Sequence, residues 1–266
     1  MFYKAISVKH GMTLKDLAAI SYKNRAKVPV QITVAEDKIS ILAYVDYDNV
    51  MKQKFHSKRP KGEGVTEDFT YADAFEKGVR RYWEKEYDFS YCGLGKATLD
   101  VTFIRKGSPD YPEGQRCFRV RKARISKTSF VSSPPFRLFW GLFAYISPES
   151  AMLNWSLKHP GTVNMQLYKN ASGFKRVCAH EFGHILGIGD AYEAHYRFYY
   201  MAPGTEDFMM YHNTCVQPQE VMMVLRAHQT GRMQYFPIKF SLRRYLKGVK
   251  KSVSQSRVFS RRQKKD

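Results

Sequence analysis

Two histidines and a glutamate lie close together in the stretch from His180 to Asp190, which reads H-E-F-G-H-I-L-G-I-G-D. In an α-helix, residues four positions apart lie on one face, so the imidazoles of His180 and His184 would point to the same place. A histidine pair at this spacing is suited to hold a zinc ion, and Glu181 beside it is placed to take a proton from a water molecule at the metal. The stretch therefore predicts a zinc hydrolase, and among hydrolases a peptidase first.

Three residues are candidates for a third metal ligand. Gly187 can end the helix because glycine accepts a left-handed backbone, and the chain could then turn back and bring Asp190 to the metal. His195 is the next histidine along the chain, and Glu220 lies on a later predicted helix. The spacing favours Asp190, and the two alternatives stay open at this point.

Secondary structure around the motif follows from the pattern of apolar residues. A helix that carries the histidine pair is predicted from residue 172 or 173 to residue 186, with a short strand just before it at 162–168. A final helix is predicted over Pro218–Thr230, because proline suits the first turn of a helix and apolar residues recur on one face. The tyrosine-rich segment 191–208 is predicted to be a loop.

The first half of the chain shows strand-like runs and one long helical pattern. Residues 28–34 and 39–46 predict a β-hairpin, and residues 66–87 predict a helix that Thr70 and Asp73 cap. Further predicted elements are a helix at 12–24, an exposed loop at 51–65, strands at 97–104 and 117–125, and an irregular aromatic segment at 126–150. The strand at 117–125 alternates apolar and basic residues, which favours a half-exposed basic sheet face over a nucleic-acid surface.

Half of the net charge of +20 lies at one end of the chain, where residues 239–266 hold eleven lysines and arginines and one acidic residue. This composition is typical of a solvated, disordered tail, and attachment to nucleic acid or to an anionic membrane surface is the alternative. The predicted organisation is an N-terminal helix and hairpin region at 1–60, a metallopeptidase domain at 61–238 and the basic tail at 239–266.

The four cysteines form no C-x-x-C pair, which argues against a structural zinc ribbon. Free thiols are expected, and if one disulfide forms, Cys178–Cys215 is the predicted pair. The first twenty residues lack the apolar core of a signal peptide, and no apolar run approaches the roughly 18 residues of a membrane helix. A cytoplasmic monomer is therefore the default expectation, with non-classical secretion as the alternative.

The extended motif resembles that of the metzincin metallopeptidases, whose pattern is H-E-x-x-H-x-x-G-x-x-H or D followed by a methionine turn. Residues 180–190 match the Asp form, as in the small snapalysin-like bacterial enzymes, and the likeness covers about residues 65–236. The resemblance implies an α+β, metzincin-like zincin fold. Such a fold has a mixed twisted sheet with long helices, the histidine motif on the active-site helix, a Met-turn and a C-terminal helix.

The resemblance also implies a role for each residue of the site. His180, His184 and Asp190 would bind Zn²⁺, and Glu181 would act as the general base toward water.

The stretch Asp207-Phe208-Met209-Met210-Tyr211 resembles the Met-turn, in which a methionine lies beneath the metal. The spacing of a methionine two residues before a tyrosine favours Met209 for that position over Met210. Tyr211 is then a candidate for stabilising the transition state, and a core tyrosine is the alternative interpretation.

The strand before the metal helix resembles the edge strand that pairs with an extended peptide substrate. The residues assigned to this role are Thr162, Val163, Asn164, Met165 and Gln166. The predicted function is thus a zinc-dependent endopeptidase acting on a peptide or protein. Two alternatives are a catalytically silent zinc-binding protein on a peptidase fold and a nucleic-acid-associated protein that uses the basic tail.

Overall fold

A mixed β-sheet and two long helices share one apolar core. The computed structural model describes residues 20, 22–58, 64–124, 128–137, 153–168, 170–192, 204–212 and 214–236. The strands are β1 (Val30–Ala35), β2 (Lys38–Tyr47), β3 (Lys54–Lys58), β4 (Gly64–Thr70), β5 (Lys85–Asp88), β6 (Lys96–Arg105), β7 (Phe118–Lys122), β8 (Phe130–Ser132) and β9 (Thr162–Met165). The helices are α1 (Tyr71–Trp83), α2 (Ala171–Ile185), α3 (Met209–His212) and α4 (Pro218–Thr230). The prediction of an α+β protein with a mixed sheet is confirmed.

Seven strands of the described residues form one sheet in the order β5-β6-β2-β7-β9-β8, with β1 also paired to β2. The four inner strands β6, β2, β7 and β9 run parallel to their neighbours in that group. The strands β1, β5 and β8 are antiparallel to their partners, and β3 and β4 form a separate antiparallel hairpin. The sheet therefore has an antiparallel strand at each end of its order.

The predicted N-terminal hairpin lies at the centre of the sheet. β1 and β2 pair antiparallel as predicted, and β2 also pairs in parallel with β6 and β7. Its apolar residues belong to the same core as those of α2. Residues on both sides of the predicted boundary at residue 60 therefore contribute to one apolar core. Lysines and glycines in the segment 51–65 indicated an exposed loop, but this segment contains β3, in which Phe55 is fully buried.

Helix α1 is shorter than predicted because strands occupy both of its flanks. The Thr70 side chain accepts a hydrogen bond from the backbone of Asp73, and the Asp73 carboxylate accepts one from the backbone of Thr70. This reciprocal capping box confirms the predicted cap. Residues 64–70 pair with β3, and residues 85–88 pair with β6, so the helix spans only Tyr71–Trp83.

Close contact between α1 and α2 fixes the helix that carries the histidine pair. A Cβ atom at Gly78 of α1 would lie 2.6 Å from the carbonyl oxygen of Lys175, so a side chain is excluded there. At the end of α1, Trp83 Nε1 donates a hydrogen bond of 3.0 Å to the carbonyl of Ala179 in α2. Ala179 directly precedes the first histidine of the motif.

All four cysteines are free thiols, as expected, so the alternative disulfide Cys178–Cys215 is not formed. Of the helices in the described ranges, none has both the length and the apolar character needed to cross a membrane. Most of the segments 12–24, 126–150 and 191–208 and the whole basic tail at 239–266 lie outside the described residues.

Candidate metal centre

Helix α2 carries the histidine pair into the core. Asn170 caps its start, because Oδ1 accepts hydrogen bonds from the backbone N–H groups of Ser172 and Gly173 at 2.9 and 3.2 Å. His180 and Glu181 are only 6% and 4% exposed. Two ionisable side chains in an apolar environment are costly unless other groups compensate for the lost water.

The helix ends in a Schellman motif at Gly187, where the sequence predicted a glycine with a left-handed backbone. The φ angle of Gly187 is +93°. The N–H of Gly187 donates to the carbonyl of His184, and that of Ile188 to the carbonyl of Gly183, at 3.0 and 3.2 Å. A Cβ atom at Gly187 would lie 2.6 Å from the indole of Trp155. Both backbone conformation and space therefore require glycine here.

Backbone hydrogen bonds on both sides fix the position of Asp190. The preceding residue, Gly189, donates its N–H to the carbonyl of Gln234 at 2.8 Å. The following residue, Ala191, donates to the carbonyl of Met210 at 2.9 Å. The chain after α2 is thus held between two other segments, and Asp190 is turned back toward the helix.

Asp190 meets both histidines at one point. Its Oδ1 lies 3.0 Å from Nε2 of His180 and 3.4 Å from Nε2 of His184. The other ring nitrogens bond to backbone: Nδ1 of His180 donates to the carbonyl of Met209 and Nδ1 of His184 to that of Ile188, both at 2.9 Å. A carbonyl can only accept, so Nδ1 carries a proton, and Nε2 faces Asp190, where it can bind a metal ion or a second proton.

This cluster fits a metal ion. Oδ1 of Asp190 is buried and accepts no well-formed hydrogen bond from the described residues, although two ring nitrogens lie close to it. The three potential ligand atoms lie within 4.8 Å of one another. Electron-pair donors that face each other in a buried space are unfavourable unless a cation or a proton lies between them. Two imidazoles and one carboxylate form a ligand set suited to Zn²⁺, with a further position open.

In the metal-free protein, protons compensate for the charge of Asp190. Burial opposes the charged form of His184, but the Asp190 carboxylate outweighs it and raises the pKa of His184 to about 9. The pKa of His180 is raised against the same opposing effect of burial. Burial alone would raise the pKa of Asp190, but the two histidines lower it below its usual range. Metal binding would therefore displace protons from the site.

The turn after residue 208 contributes its backbone and a sulfur atom to the site. Met209 accepts the hydrogen bond from His180 through its carbonyl oxygen. Sδ of Met210 occupies the space that a Cβ atom at Gly183 would need, so the thioether of Met210 packs directly against α2 at Gly183. Met209 and Met210 are both fully buried, and the assignment of Met209 to the place beneath the metal stays a prediction.

Glu181 and Tyr211 are the predicted residues of the chemical step. Glu181 lies next to His180, and its negative charge raises the pKa of both histidines. Tyr211 is half-buried, with its ring 6.0 Å from that of Tyr192 in an edge-to-face contact. Burial and the charge of Glu206 raise the pKa of Tyr211, so its hydroxyl is a neutral hydrogen-bond donor.

Glu220 does not join the metal cluster. Its carboxylate accepts three backbone N–H groups, two from the turn at Met209 and Met210 and one from the start of α4. Asp190 is therefore the candidate ligand that the structure brings to the histidines. The other alternative, His195, lies outside the described residues.

The strand before the metal helix is not an edge strand. Thr162–Met165 pairs with β7 on one side and with β8 on the other, and the N–H of Gln166 donates to Oγ of Ser129 at 3.0 Å. Among the described strands β8, Phe130–Ser132, is outermost on this side of the sheet. The expectation of a free edge for an extended peptide within residues 162–166 is therefore not met at residues 162–164, whose backbone pairs with a strand on each side.

Asn164 shows why β9 and β8 act as one unit. It is 3% exposed, and its Nδ2 donates to the carbonyl of Phe130, to Oγ of Ser132 and to the carbonyl of Thr162. Its Oδ1 accepts a hydrogen bond of 2.8 Å from Nε of Arg121. This buried side chain therefore connects three strands, β7, β8 and β9.

Two residues that shape the site were missed in the sequence. Trp155 packs on Gly187 and donates from Nε1 to a carbonyl in the last turn of α2 at 3.0 Å, and Gln234 pairs with the segment that leads to Asp190. No local pattern indicates such distant contacts. Glu220 was considered only as a ligand, although a glutamate two residues after Pro218, in the first turn of a helix, is itself a capping signal.

Comparisons with protein-family models, with curated proteins and with solved structures found no match. The functional interpretation therefore depends on the geometry of this site.

Proposed function

We propose that this protein is a zinc-dependent endopeptidase with a metzincin-like zincin fold. The observation that carries the proposal is the meeting of His180, His184 and Asp190 with their ligand atoms within 4.8 Å of one another. Both histidines are held by backbone carbonyls that leave Nε2 available to a metal. Glu181 directly follows His180 in the helix, and its charge acts on both histidines.

The order of elements gives further support to the metzincin-like interpretation. Along the chain, the long helix α1 is followed by strands of the mixed sheet, by the helix α2 with the histidine pair, by the turn at Met209 and Met210 and by the final helix α4. The resemblance implies these elements, but it also implies an edge strand directly before α2, where this chain has the inner strand β9. The turn also lies directly against the metal helix, through Met210 and Gly183.

The proposed chemistry assigns one task to each side chain. His180, His184 and Asp190 would hold zinc, which would acidify a water molecule and polarise the scissile carbonyl. Glu181 takes the proton of that water on its carboxylate as the water oxygen bonds to the carbonyl carbon. It then donates the proton to the amine nitrogen as the C–N bond breaks. Tyr211 donates a hydrogen bond to the carbonyl oxygen as negative charge develops there.

The substrate is expected to lie along β8. An extended peptide can add to a sheet through main-chain hydrogen bonds, which hold it without regard to its sequence. Phe130–Ser132 is the outer strand next to β9 in the described part of the sheet, and β9 leads directly to the metal helix. This placement replaces the assignment of residues 162–166.

The decisive experiment compares the wild type with Glu181→Gln. Zinc content is measured by mass spectrometry, and cleavage is measured on a diverse peptide library. The variant is expected to retain one zinc ion per chain and to lose roughly 10²- to 10⁴-fold in kcat/KM, the usual contribution of a general base. Glu113→Gln is the matched control, since Glu113 is an exposed loop residue and should leave both values unchanged.

Two further variants decide the third ligand in the same assay. Asp190→Ala is expected to lose zinc and activity, whereas His195→Ala is expected to retain both. Cleavage by Glu181→Gln at the wild-type rate would refute the mechanism. Bound zinc with no cleavage of any peptide by the wild type would instead support a catalytically silent zinc-binding protein.

A further inference from the structure

Glu220 is a fully buried carboxylate in the first turn of α4, with 0% of its surface exposed. Its Oε2 accepts hydrogen bonds from the backbone N–H groups of Gln217 and Met209 at 2.8 and 3.2 Å, and its Oε1 accepts one from Met210 at 2.8 Å. No lysine or arginine in the described ranges forms an ion pair with it. Burial outweighs the three amide groups and raises the pKa of Glu220 to about 7, although these hydrogen bonds favour its charged form.

A helix cap alone would not explain this arrangement. Capping α4 requires only the bond to Gln217, which lies three residues before Glu220. The other two bonds reach back 11 and 10 residues along the chain to Met209 and Met210. Burying a carboxylate without a cation is costly, so bonds beyond the cap indicate a second task for this side chain.

One rigid peptide unit connects Glu220 to the metal cluster. The carbonyl of Met209 and the N–H of Met210 belong to the same peptide group, which is planar and, like every peptide bond in the described chain, not cis. In a trans peptide these two groups point in opposite directions. Glu220 binds the N–H on one side, and His180 Nδ1 binds the carbonyl on the other. The carboxylate therefore fixes the plane of the peptide that orients the ring of His180.

We propose that Glu220 is a positioning residue that sets the ring orientation and tautomer of His180 through the Met209–Met210 peptide. The consequence for metal affinity rests on the proposed function, in which His180 is a ligand. The consequence for the ring itself does not, because the hydrogen bonds exist without a metal. Such supporting groups typically change metal affinity by 10- to 100-fold.

Glu220→Gln tests the proposal, because the carboxamide keeps the size of the side chain but turns an NH₂ group toward one of the N–H donors. The imidazole nitrogens are observed by NMR in protein labelled with ¹⁵N-histidine, first without metal and then with zinc. The Nδ1 proton of His180 is expected to exchange with solvent faster than in the wild type, and the zinc dissociation constant to rise about 10- to 100-fold. His184 serves as an internal control, because its partner Ile188 is not connected to Glu220.

Val224→Ala is the matched control for a loss of stability. Val224 lies on the same helix and is 1% exposed, so its truncation removes core packing but no hydrogen bond to the turn. If Glu220→Gln fails to fold, Glu220→Asp is measured. Its carboxylate is one methylene shorter and cannot reach all three N–H groups, so a smaller change of the same kind is expected.

The outcomes separate this inference from the proposed function. If the Glu220 variant and Val224→Ala give the same His180 signals and the same zinc affinity, the positioning role is overturned. This holds whether or not the wild type cleaves peptides. A changed His180 signal in a protein whose wild type cleaves no peptide would support the positioning role and count against the peptidase.

Discussion

The two histidines of the candidate centre are held by contacts of very different range. Nδ1 of His184 bonds to the carbonyl of Ile188, four residues later, within the turn that ends the helix. Nδ1 of His180 bonds to Met209, 29 residues away along the chain. The ring of His184 therefore depends on the local conformation at Gly187, which also directs the chain toward Asp190.

Replacing Gly187 by alanine should destabilise this turn, because both its backbone conformation and its packing disfavour a side chain. A left-handed conformation costs an alanine about 1–2 kcal/mol. Crowding of Trp155, whose ring would lie 2.6 Å from the new Cβ, should cost roughly 1–3 kcal/mol more. The free energy of unfolding is measured by urea denaturation of the metal-free protein, together with the zinc dissociation constant, which should rise.

Gly107→Ala is the control for the backbone cost alone. Gly107 has a φ of +88°, close to that of Gly187, but no atom lies within 4 Å of its hypothetical Cβ. Its substitution should cost only the backbone part and should leave zinc affinity unchanged. Equal losses of stability at the two positions would show that the contact with Trp155 has no energetic role.

At the scale of elements, the contact between α1 and α2 places the histidine pair relative to the sheet. Because Gly78 has no side chain, α1 can approach closely to the backbone of α2 at Lys175. Trp83 then donates a hydrogen bond to the carbonyl of Ala179. Phe182 of α2 packs edge-to-face on Trp83 and against Phe103 of β6. The helix is therefore fixed by contacts on the side away from Asp190, and its two histidines face that carboxylate.

Alanine at Gly78 should force α1 and α2 apart, because the atom in the way is a backbone carbonyl that cannot rotate aside. We expect a loss of about 1–3 kcal/mol in the free energy of unfolding, as for other overpacked contacts. Gly173→Ala in α2 is the matched control. The nearest atom to its hypothetical Cβ is 3.9 Å away, so the better helix propensity of alanine should make it neutral or stabilising. Destabilisation of the same size at both positions would contradict the close helix contact.

For the molecule as a whole, the sequence predicted the elements whose signals are local. The final helix has the predicted bounds Pro218–Thr230, and the hairpin of β1 and β2 and the cap at Thr70 are also present. These features depend on turn chemistry, capping and apolar periodicity within a few residues.

Short strands could not be predicted in the same way. β8 has three residues, and β3 has a basic sequence, so each is defined by the strand with which it pairs. The meeting of Asp190 with the histidine pair was predicted from the glycine that ends the helix. The role of Glu220 was not, because its partners at Met209 and Met210 become visible only when the turn lies against α4.

Titration of the centre should couple the stability of the whole metal-free protein to pH. The folded state raises the pKa of His184 from 6.5 to about 9, so it binds a proton more tightly than the unfolded chain does. The resulting stabilisation, on the order of 3 kcal/mol for such a shift, is complete below about pH 6.5 and is lost as pH rises through about 9. The melting temperature is measured across this interval with and without zinc. Bound zinc replaces the proton, so the loaded protein should not show this loss.

Asp190→Asn is the control for this pH dependence, because it removes the charge that raises the pKa of His184 but keeps the size of the side chain. Without metal, its stability should vary less than that of the wild type between about pH 6.5 and 9. Equal pH profiles for the two proteins would mean that Asp190 does not hold a proton on the histidine pair. The close approach of these three side chains would then lack the electrostatic coupling on which the exchange of protons for zinc depends.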